Sequence, residues 1–166
     1  MRKITALVMC LFAILSLAAC GNSGSGENAQ LPNPFVDYET PEEMQKAAGL
    51  EVTLPENLPD WVSETLYRAI PGELVEVIYT DGDNEIRVRV KEGSEDISGV
   101  YDSGSLEERD VPLGENTAHL KGETLESGEF SVQVCIWSSS EGRSYSVTSR
   151  NGVPEDILLP IAAQVS

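Results

Sequence analysis

The chain has 166 residues, a length that suits one domain of ordinary size and not two. Its 28 acidic residues against 11 basic ones give a formal charge of −17. That charge disfavours nucleic acid as a partner, because phosphate binding needs clustered Lys and Arg. Hydrophobic residues make up 40% of the chain, so it is too apolar to be disordered throughout. Composition therefore predicts a folded acidic domain.

The N-terminus has the parts of a secretory signal. A basic start is followed by an apolar run at residues 4–17, which is too short for a stable membrane span. The run ends in a motif that resembles the bacterial lipobox, whose cysteine is diacylated before cleavage on its N-terminal side: Leu17-Ala18-Ala19-Cys20. We therefore predict a lipoprotein signal peptide at residues 1–19 and lipidation of Cys20. A plain secretory signal that leaves Cys20 as a free thiol fits this motif less well.

A polar segment follows the predicted lipidated cysteine. Residues 20–33 are rich in Gly, Ser and Asn, which is typical of a flexible tether. We predict that lipid on Cys20 holds the protein at the cell membrane, on the extracytoplasmic face. Residues 34–166 then form one acidic extracytoplasmic domain, and the membrane is its first expected partner.

Two short helices are expected, one at each end of this domain. Thr40 suits the N-cap of the first helix, Glu43 completes a capping box and Gly49 ends the helix. The second helix begins after Pro154, with acidic residues in its first turn. Pro160 should kink or shorten this second helix, because proline lacks the backbone N–H and clashes with the preceding turn.

Alternating apolar and polar residues predict a β-hairpin around Gly82-Asp83. With that pair as the turn, three apolar residues of each strand share one face: Val75, Val77 and Tyr79 against Val90, Val88 and Ile86. The same register pairs Glu76 with Arg89 on the opposite face. We expect the apolar face to be buried, and a charge reversal at Arg87 on the opposite face to be mild.

Further strands complete the predicted sheet. Residues 130–149 have the pattern of a second hairpin, in which four alternating residues share a face: Phe130, Val132, Val134 and Ile136. Residues 62–70 and 117–121 are weaker strand candidates. We therefore predict an α+β fold, a single antiparallel sheet of about 4–6 strands with the N-terminal and C-terminal helices packed on one face.

The sequence contains no recognisable catalytic constellation. The single histidine, His119, lies in a candidate strand and is interpreted as structural. Cys135 is the one cysteine left to the domain, so an internal disulfide is excluded. We expect Cys135 to pack beside Trp137 as a small apolar residue, because no basic neighbour in sequence activates it. We predict no catalytic residue and no cofactor.

The acidic turn of the first hairpin imitates a calcium-binding loop. Asp81, Asp83 and Glu85 have the spacing of calcium ligands, but Ile86 stands where such a loop requires glycine. We therefore predict no metal site and interpret these carboxylates as solvated turn residues. A calcium-dependent interaction module is kept as an alternative.

Segment 93–101 is the strongest candidate for a ligand-binding loop. It follows a predicted strand, has glycines at both ends and contains four residues suited to recognition: Glu95, Asp96, Ser98 and Tyr101. Binding residues often gather on loops held by a rigid sheet. The alternative is a plain surface loop anchored by Ile97 and Tyr101.

Short motifs across residues 33–165 carry a family resemblance. They include Asn33-Pro34-Phe35, the capped helix with Lys46-Ala47 and Gly49, Pro55-x-x-Leu58-Pro59, Glu76-Val77-Ile78-Tyr79, Asn84-Glu85-Ile86-Arg87 and the segment Gly93 to Gly99. Together they resemble a family of small Gram-positive lipoproteins with an uncharacterised extracytoplasmic domain, similar also to the ectodomains of some anti-sigma factors. The resemblance implies no catalytic residues, because none are established for that family.

These features predict a non-catalytic, membrane-anchored lipoprotein that binds or senses an envelope protein or a small-molecule ligand. An alternative from another class is a carboxylate-dependent envelope enzyme that uses Glu95 and Asp96. That alternative requires a cleft with a carboxyl group whose pKa is raised by burial or by a like charge.

Overall fold

Eight strands and two short helices make up residues 32–101 and 104–166, the part of the chain that this computed structural model describes. In chain order they are β1 (Val36–Tyr38), α1 (Pro41–Ala48), β2 (Glu64–Ile70), β3 (Leu74–Thr80), β4 (Glu85–Glu92), β5 (Glu107–Leu113), β6 (Asn116–Thr124), β7 (Phe130–Ser138), β8 (Arg143–Pro154) and α2 (Glu155–Ala162). Residues Pro34–Ser166 form one compact unit. The predicted signal peptide and the lipidation site at Cys20 lie outside the described residues.

All eight strands join one sheet in the order β1-β2-β3-β4-β8-β7-β6-β5, and every neighbouring pair is antiparallel. The sheet has two halves, β1 to β4 and β5 to β7. Hairpins connect their sequential strands except β1 and β2, between which α1 intervenes. The last strand, β8, lies between β4 and β7 and joins the halves. The connection from β4 to β5 must consequently pass three other strands.

The predicted α+β fold with a sheet of four to six strands is wrong. The molecule is mostly β, with one eight-stranded sheet and two short helices. The two strands that sequence patterns missed, β1 and β5, are the edges of the sheet. β1 has only three residues, and β5 begins with four exposed charged residues, so neither shows the apolar alternation of a half-buried strand.

The first helix begins where its capping residues predict, and the second begins directly after Pro154, without a side-chain cap. In α1 the Thr40 side chain accepts a hydrogen bond from the Glu43 N–H at 3.3 Å, and Gly49 ends the helix with φ +73°. The helix α2 begins at Glu155 and runs through Pro160 to its end two residues later. Helix residues such as Met44 share one hydrophobic core with the sheet.

The register predicted for the first hairpin is confirmed. Strands β3 and β4 pair Val75 with Val90, Val77 with Val88, Glu76 with Arg89 and Tyr79 with Ile86. The apolar members of these pairs are buried in the core with α1 and α2. Alternation therefore determined which residues of this hairpin face inward.

The second hairpin forms, but its predicted faces are wrong beyond Val132. Relative to β6, a β-bulge leaves Gln133 as an extra residue in β7, because the adjacent residues Lys121 and Gly122 pair with Val134 and Val132. One extra residue exchanges the two faces of a strand. Cys135 and Trp137 therefore join the core, while Val134 and Ile136 face away from it. The Trp137 ring stacks on Tyr145 with ring centroids 5.1 Å apart.

Candidate functional site on the polar face

The polar face is the side of the sheet opposite α1 and α2, and a row of polar residues crosses it. Arg68, Glu76, Arg89 and Ser146 are cross-strand neighbours on β2, β3, β4 and β8. Their positions follow from alternation, because the residues on either side of each in its strand point into the core. In this acidic protein the polar face carries five basic side chains: Arg68, Arg87, Arg89, Lys91 and Lys121.

Glu76 is the centre of this row. Its side chain is 0% exposed, and three guanidinium groups surround it: Arg89 Nε is 2.7 Å from Oε2, Arg68 Nη1 3.1 Å from Oε1 and Arg87 Nη1 3.5 Å from Oε2. Such pairs offset the cost of removing a carboxylate from water. Sequence reasoning found the pair with Arg89 and missed the other two, although the run of alternating basic residues in β4 was the available signal.

Four buried polar atoms of this cluster have no hydrogen-bond partner among residues 32–101 and 104–166: Arg68 Nε, Glu76 Oε1, Arg87 Nε and Ser146 Oγ. For the first two, a charged group lies 3.1 Å away but outside hydrogen-bonding geometry. Buried polar groups without partners destabilise a fold unless a water or a ligand atom reaches them. The cluster therefore has further hydrogen-bonding positions to fill.

The predicted ligand loop is part of the crossover from β4 to β5. Because β4 is central and β5 is an edge, this connection passes over β8, β7 and β6. Its backbone is held on the polar face, where Arg89 Nη1 donates to the Ile97 carbonyl at 3.0 Å and Ser144 Oγ donates to the Gly93 carbonyl at 3.0 Å. Lys121 Nζ, on β6, lies 4.0 Å from the Asp96 carboxylate.

Local hydrogen bonds shape the crossover. Asp96 Oδ1 accepts from the Ser98 N–H at 2.9 Å, and Ser98 Oγ accepts from the Val100 N–H at 3.3 Å. Gly99 has φ +73°, and a Cβ there would lie 2.2 Å from Arg89 Nη1. Ile97 is buried, as expected for an anchor, so these residues hold the crossover against the sheet.

Of the four residues predicted to bind a ligand, three are exposed and one is buried. Ser98, itself part of the crossover, is buried, whereas the Glu95 and Asp96 side chains are 75% and 43% exposed. Glu95 pairs with Lys91, whose pKa is raised by hydrogen bonds to Glu73 and then to Glu95. Both carboxylates are exposed, so burial gives no support to the alternative of a carboxylate-dependent enzyme.

Tyr101, the fourth predicted residue, is 98% exposed and is therefore no anchor. It borders a cleft of about 410 Å³ between the crossover and the sheet. Apolar walls come from Phe35, Ile70, Leu74 and Ile97, and the polar lining includes Arg89, Lys91, Glu95 and Asp96. The Phe35 ring lies 4.8 Å from the Arg68 guanidinium and 5.7 Å from that of Arg89. Three of the four predicted residues thus line one cleft.

The acidic turn uses its carboxylates internally. Asp81 Oδ1 accepts from the N–H groups of Asn84 at 2.6 Å and Asp83 at 3.0 Å, and the bonds with Asn84 hold the Asp81 pKa below its usual range. Glu85 pairs with Arg87 and Arg150. Among residues 32–101 and 104–166, no group of His, Cys, Asp or Glu has the arrangement of a metal site.

The structure places Cys135 in the core and His119 on the polar face. Cys135 is fully buried, and burial raises its thiol pKa to about 12, which makes it unreactive at neutral pH. His119 lies half-buried on the polar face, with Nδ1 2.8 Å from Asp110 Oδ1 on β5.

Comparisons with protein-family models, curated proteins and solved structures found no match. The resemblance to small Gram-positive lipoproteins therefore stays a prediction. Within the described part of the chain, no helix is both long and apolar enough to cross a membrane.

Proposed function

We propose that the protein is a lipid-anchored extracytoplasmic module that binds an envelope protein or a small molecule. The anchor is lipid on Cys20, and residues 20–33 tether it to a folded unit that begins at Pro34. The ligand site is the polar-face cleft beside Tyr101. Support for the anchor comes from the lipobox, and support for binding comes from the cleft.

Tyr101 is the observation that carries the binding proposal. An aromatic ring left almost wholly in water offers a large contact area at low conformational cost. Beside it, Phe35 and Ile70 give the cleft apolar walls, and Arg89 supplies a cation fixed to the sheet by Glu76. A rigid sheet under an exposed aromatic ring is a suitable platform for recognition.

The anchor is tested by growing cells with a clickable palmitate analogue. Wild-type protein should carry the label and stay with the membrane fraction. Cys20→Ser should lose the label and enter the medium, whereas the control Cys135→Ala should keep both properties. An unlabelled wild-type protein, or label retained by Cys20→Ser, contradicts the anchor.

The ligand site is tested by ligand-observed NMR with a library of small molecules and short peptides. Molecules that bind the wild-type protein should lose their signal with Tyr101→Ala, because contacts to the ring disappear without disturbing the core. The control is Leu125→Ala, which removes another exposed apolar side chain away from the cleft. Hits that bind both variants equally would place the ligand elsewhere.

A further inference from the structure

A second cleft lies where the start of β7 meets the first half of α2. Its volume is about 570 Å³. Phe130, Leu159 and Pro160 form its apolar lining, and three carboxylates rim it, those of Glu129, Glu155 and Asp156. The cleft therefore combines an apolar floor with an acidic rim.

The chain itself places one guanidinium group beside this cleft. The Arg109 guanidinium lies over the Phe130 ring, 3.9 Å from the ring centroid, and pairs with the Glu155 carboxylate. An aromatic face next to a carboxylate is an arrangement that attracts organic cations. One cation, the Arg109 guanidinium, is therefore already bound between Phe130 and Glu155.

The other two rim carboxylates are not used in this way. Glu129 and Asp156 are exposed, and neither forms an ion pair with a basic side chain of residues 32–101 or 104–166. An anionic ligand would be repelled by them, and a wholly apolar ligand would gain no electrostatic attraction from them. The complementary ligand has a cation beside an apolar group.

We propose that this cleft docks a basic, amphipathic segment of another protein. An apolar side chain of that segment contacts Phe130, Leu159 and Pro160, and a neighbouring Lys or Arg pairs with Glu129 and Asp156. Charge complementarity is the argument, since the cleft combines two free carboxylates with an apolar floor in a protein of charge −17. This surface is separate from the Tyr101 cleft, which shares no lining residue with it.

The test measures binding of short fluorescent peptides to the full chain in nanodiscs of zwitterionic lipid, with empty nanodiscs as the blank. The first probe alternates Lys and Leu, the second replaces each Leu by Ser, and spermine serves as a cation without a peptide. At an ionic strength of about 0.15 M, the Lys-Leu peptide should bind more tightly than either of the others.

Matched variants separate the cleft from general attraction to an acidic protein. Glu129→Gln with Asp156→Asn should weaken the Lys-Leu peptide about fivefold, the effect of two partly exposed ion pairs. Glu42→Gln with Glu43→Gln removes the same charge from the first turn of α1 and should leave binding unchanged. Leu125→Ala, at an exposed apolar residue that lines neither cleft, should also leave it unchanged.

Three results would overturn the proposal. Equal weakening in the two double variants would mean that net charge alone attracts the peptide. Equal affinity for the Lys-Ser peptide would show that the apolar floor takes no part. Competition by spermine at the affinity of the Lys-Leu peptide would assign the site to small polyamines.

Discussion

The ion network of Glu76 gives a prediction at the scale of single residues. Glu76→Gln would leave three arginines without their shared carboxylate in a buried place. Breaking a buried pair from one side typically costs about 3–5 kcal/mol. We expect that loss in the free energy of unfolding, measured by urea titration with tryptophan fluorescence.

The control for this measurement is Glu73→Gln. Glu73 also pairs with a basic side chain, that of Lys91, but its own side chain is 49% exposed. Exposed pairs contribute about 0.2–1 kcal/mol. Similar losses in the two variants would contradict a stabilising role for the buried network.

Cys135 gives a second prediction at this scale. Burial raises its thiol pKa to about 12 and removes it from solvent, so the folded protein should resist thiol reagents at pH 8. In a variant with Cys10→Ser and Cys20→Ser, whose remaining thiol is that of Cys135, Ellman's reagent should detect a thiol only after unfolding in urea. The same variant with Cys135→Ala should show none in either state. Rapid labelling of the native protein would contradict this burial.

The first hairpin gives a prediction at the scale of elements. Val77 is fully buried between sheet and helices, so Val77→Asp places an unpaired charge in the core. We expect a loss of more than about 4 kcal/mol in urea titrations, a large share of an ordinary stability of about 5–15 kcal/mol. Leu66→Asp is the control, because Leu66 is 40% exposed on the opposite face. Equal losses would mean that the faces are assigned wrongly.

From the contacts of Arg87, we no longer expect a charge reversal at this residue to have a mild effect on stability. Arg87 is 27% exposed and lies within ion-pair distance of both Glu76 and Glu85. An aspartate there would face two carboxylates, one of them fully buried. Arg87 is therefore unsuitable as a surface control.

The bulge in β7 gives another prediction about elements. A Cβ on Gly122, opposite the bulge, would lie 2.1 Å from the Ser131 carbonyl oxygen. Gly122→Ala must therefore shift backbone, and overpacking of this kind costs about 1–3 kcal/mol. The control Thr117→Ala, at an exposed position of the same strand, should cost less in the same urea titrations. If Gly122→Ala left the free energy of unfolding unchanged, β6 and β7 would be able to move apart at this position without cost.

Sequence patterns predicted elements whose residues alternate clearly and failed where they do not. The register of β3 and β4 follows from alternation and the Gly82-Asp83 turn. In β7, the residues on both sides of Gln133 are apolar. The hydrophobic pattern therefore fits either assignment of residues to the two faces, and it does not reveal the bulge. Glycines inside neighbouring strands, Gly122 and Gly152, were the available signal, since strand glycines often mark bulges.

The candidate site was predictable only in part, for a related reason. The composition of segment 93–101 marked it as unusual, and three of its four chosen residues do line a cleft. Its role as a crossover depends on the strand order, which requires recognising β5. The polar start of β5 hides that strand, because an exposed edge needs no apolar face.

Charge gives a prediction at the scale of the whole molecule. A formal charge of −17 destabilises a compact state by self-repulsion, and salt screens exposed charges. We expect the melting temperature to rise by a few degrees between about 0.05 and about 0.5 M NaCl. A variant with Gln at Glu115, Glu123 and Glu126 should show a smaller rise in the same calorimetric scans. An unchanged or falling melting temperature would contradict net repulsion.

The central position of β8 also affects how the molecule is made. Residues of β4 such as Val90 pair with residues of β8 such as Tyr145, which are synthesised only after β5, β6 and β7. Until then β4 and β7 each have an unpaired edge, and open edges of apolar strands are prone to aggregation. In a nascent chain that ends a few residues into β8, the two halves of the sheet are therefore not yet joined. The strand β8, last in sequence of the eight described, is thus the one that joins the two halves of the sheet.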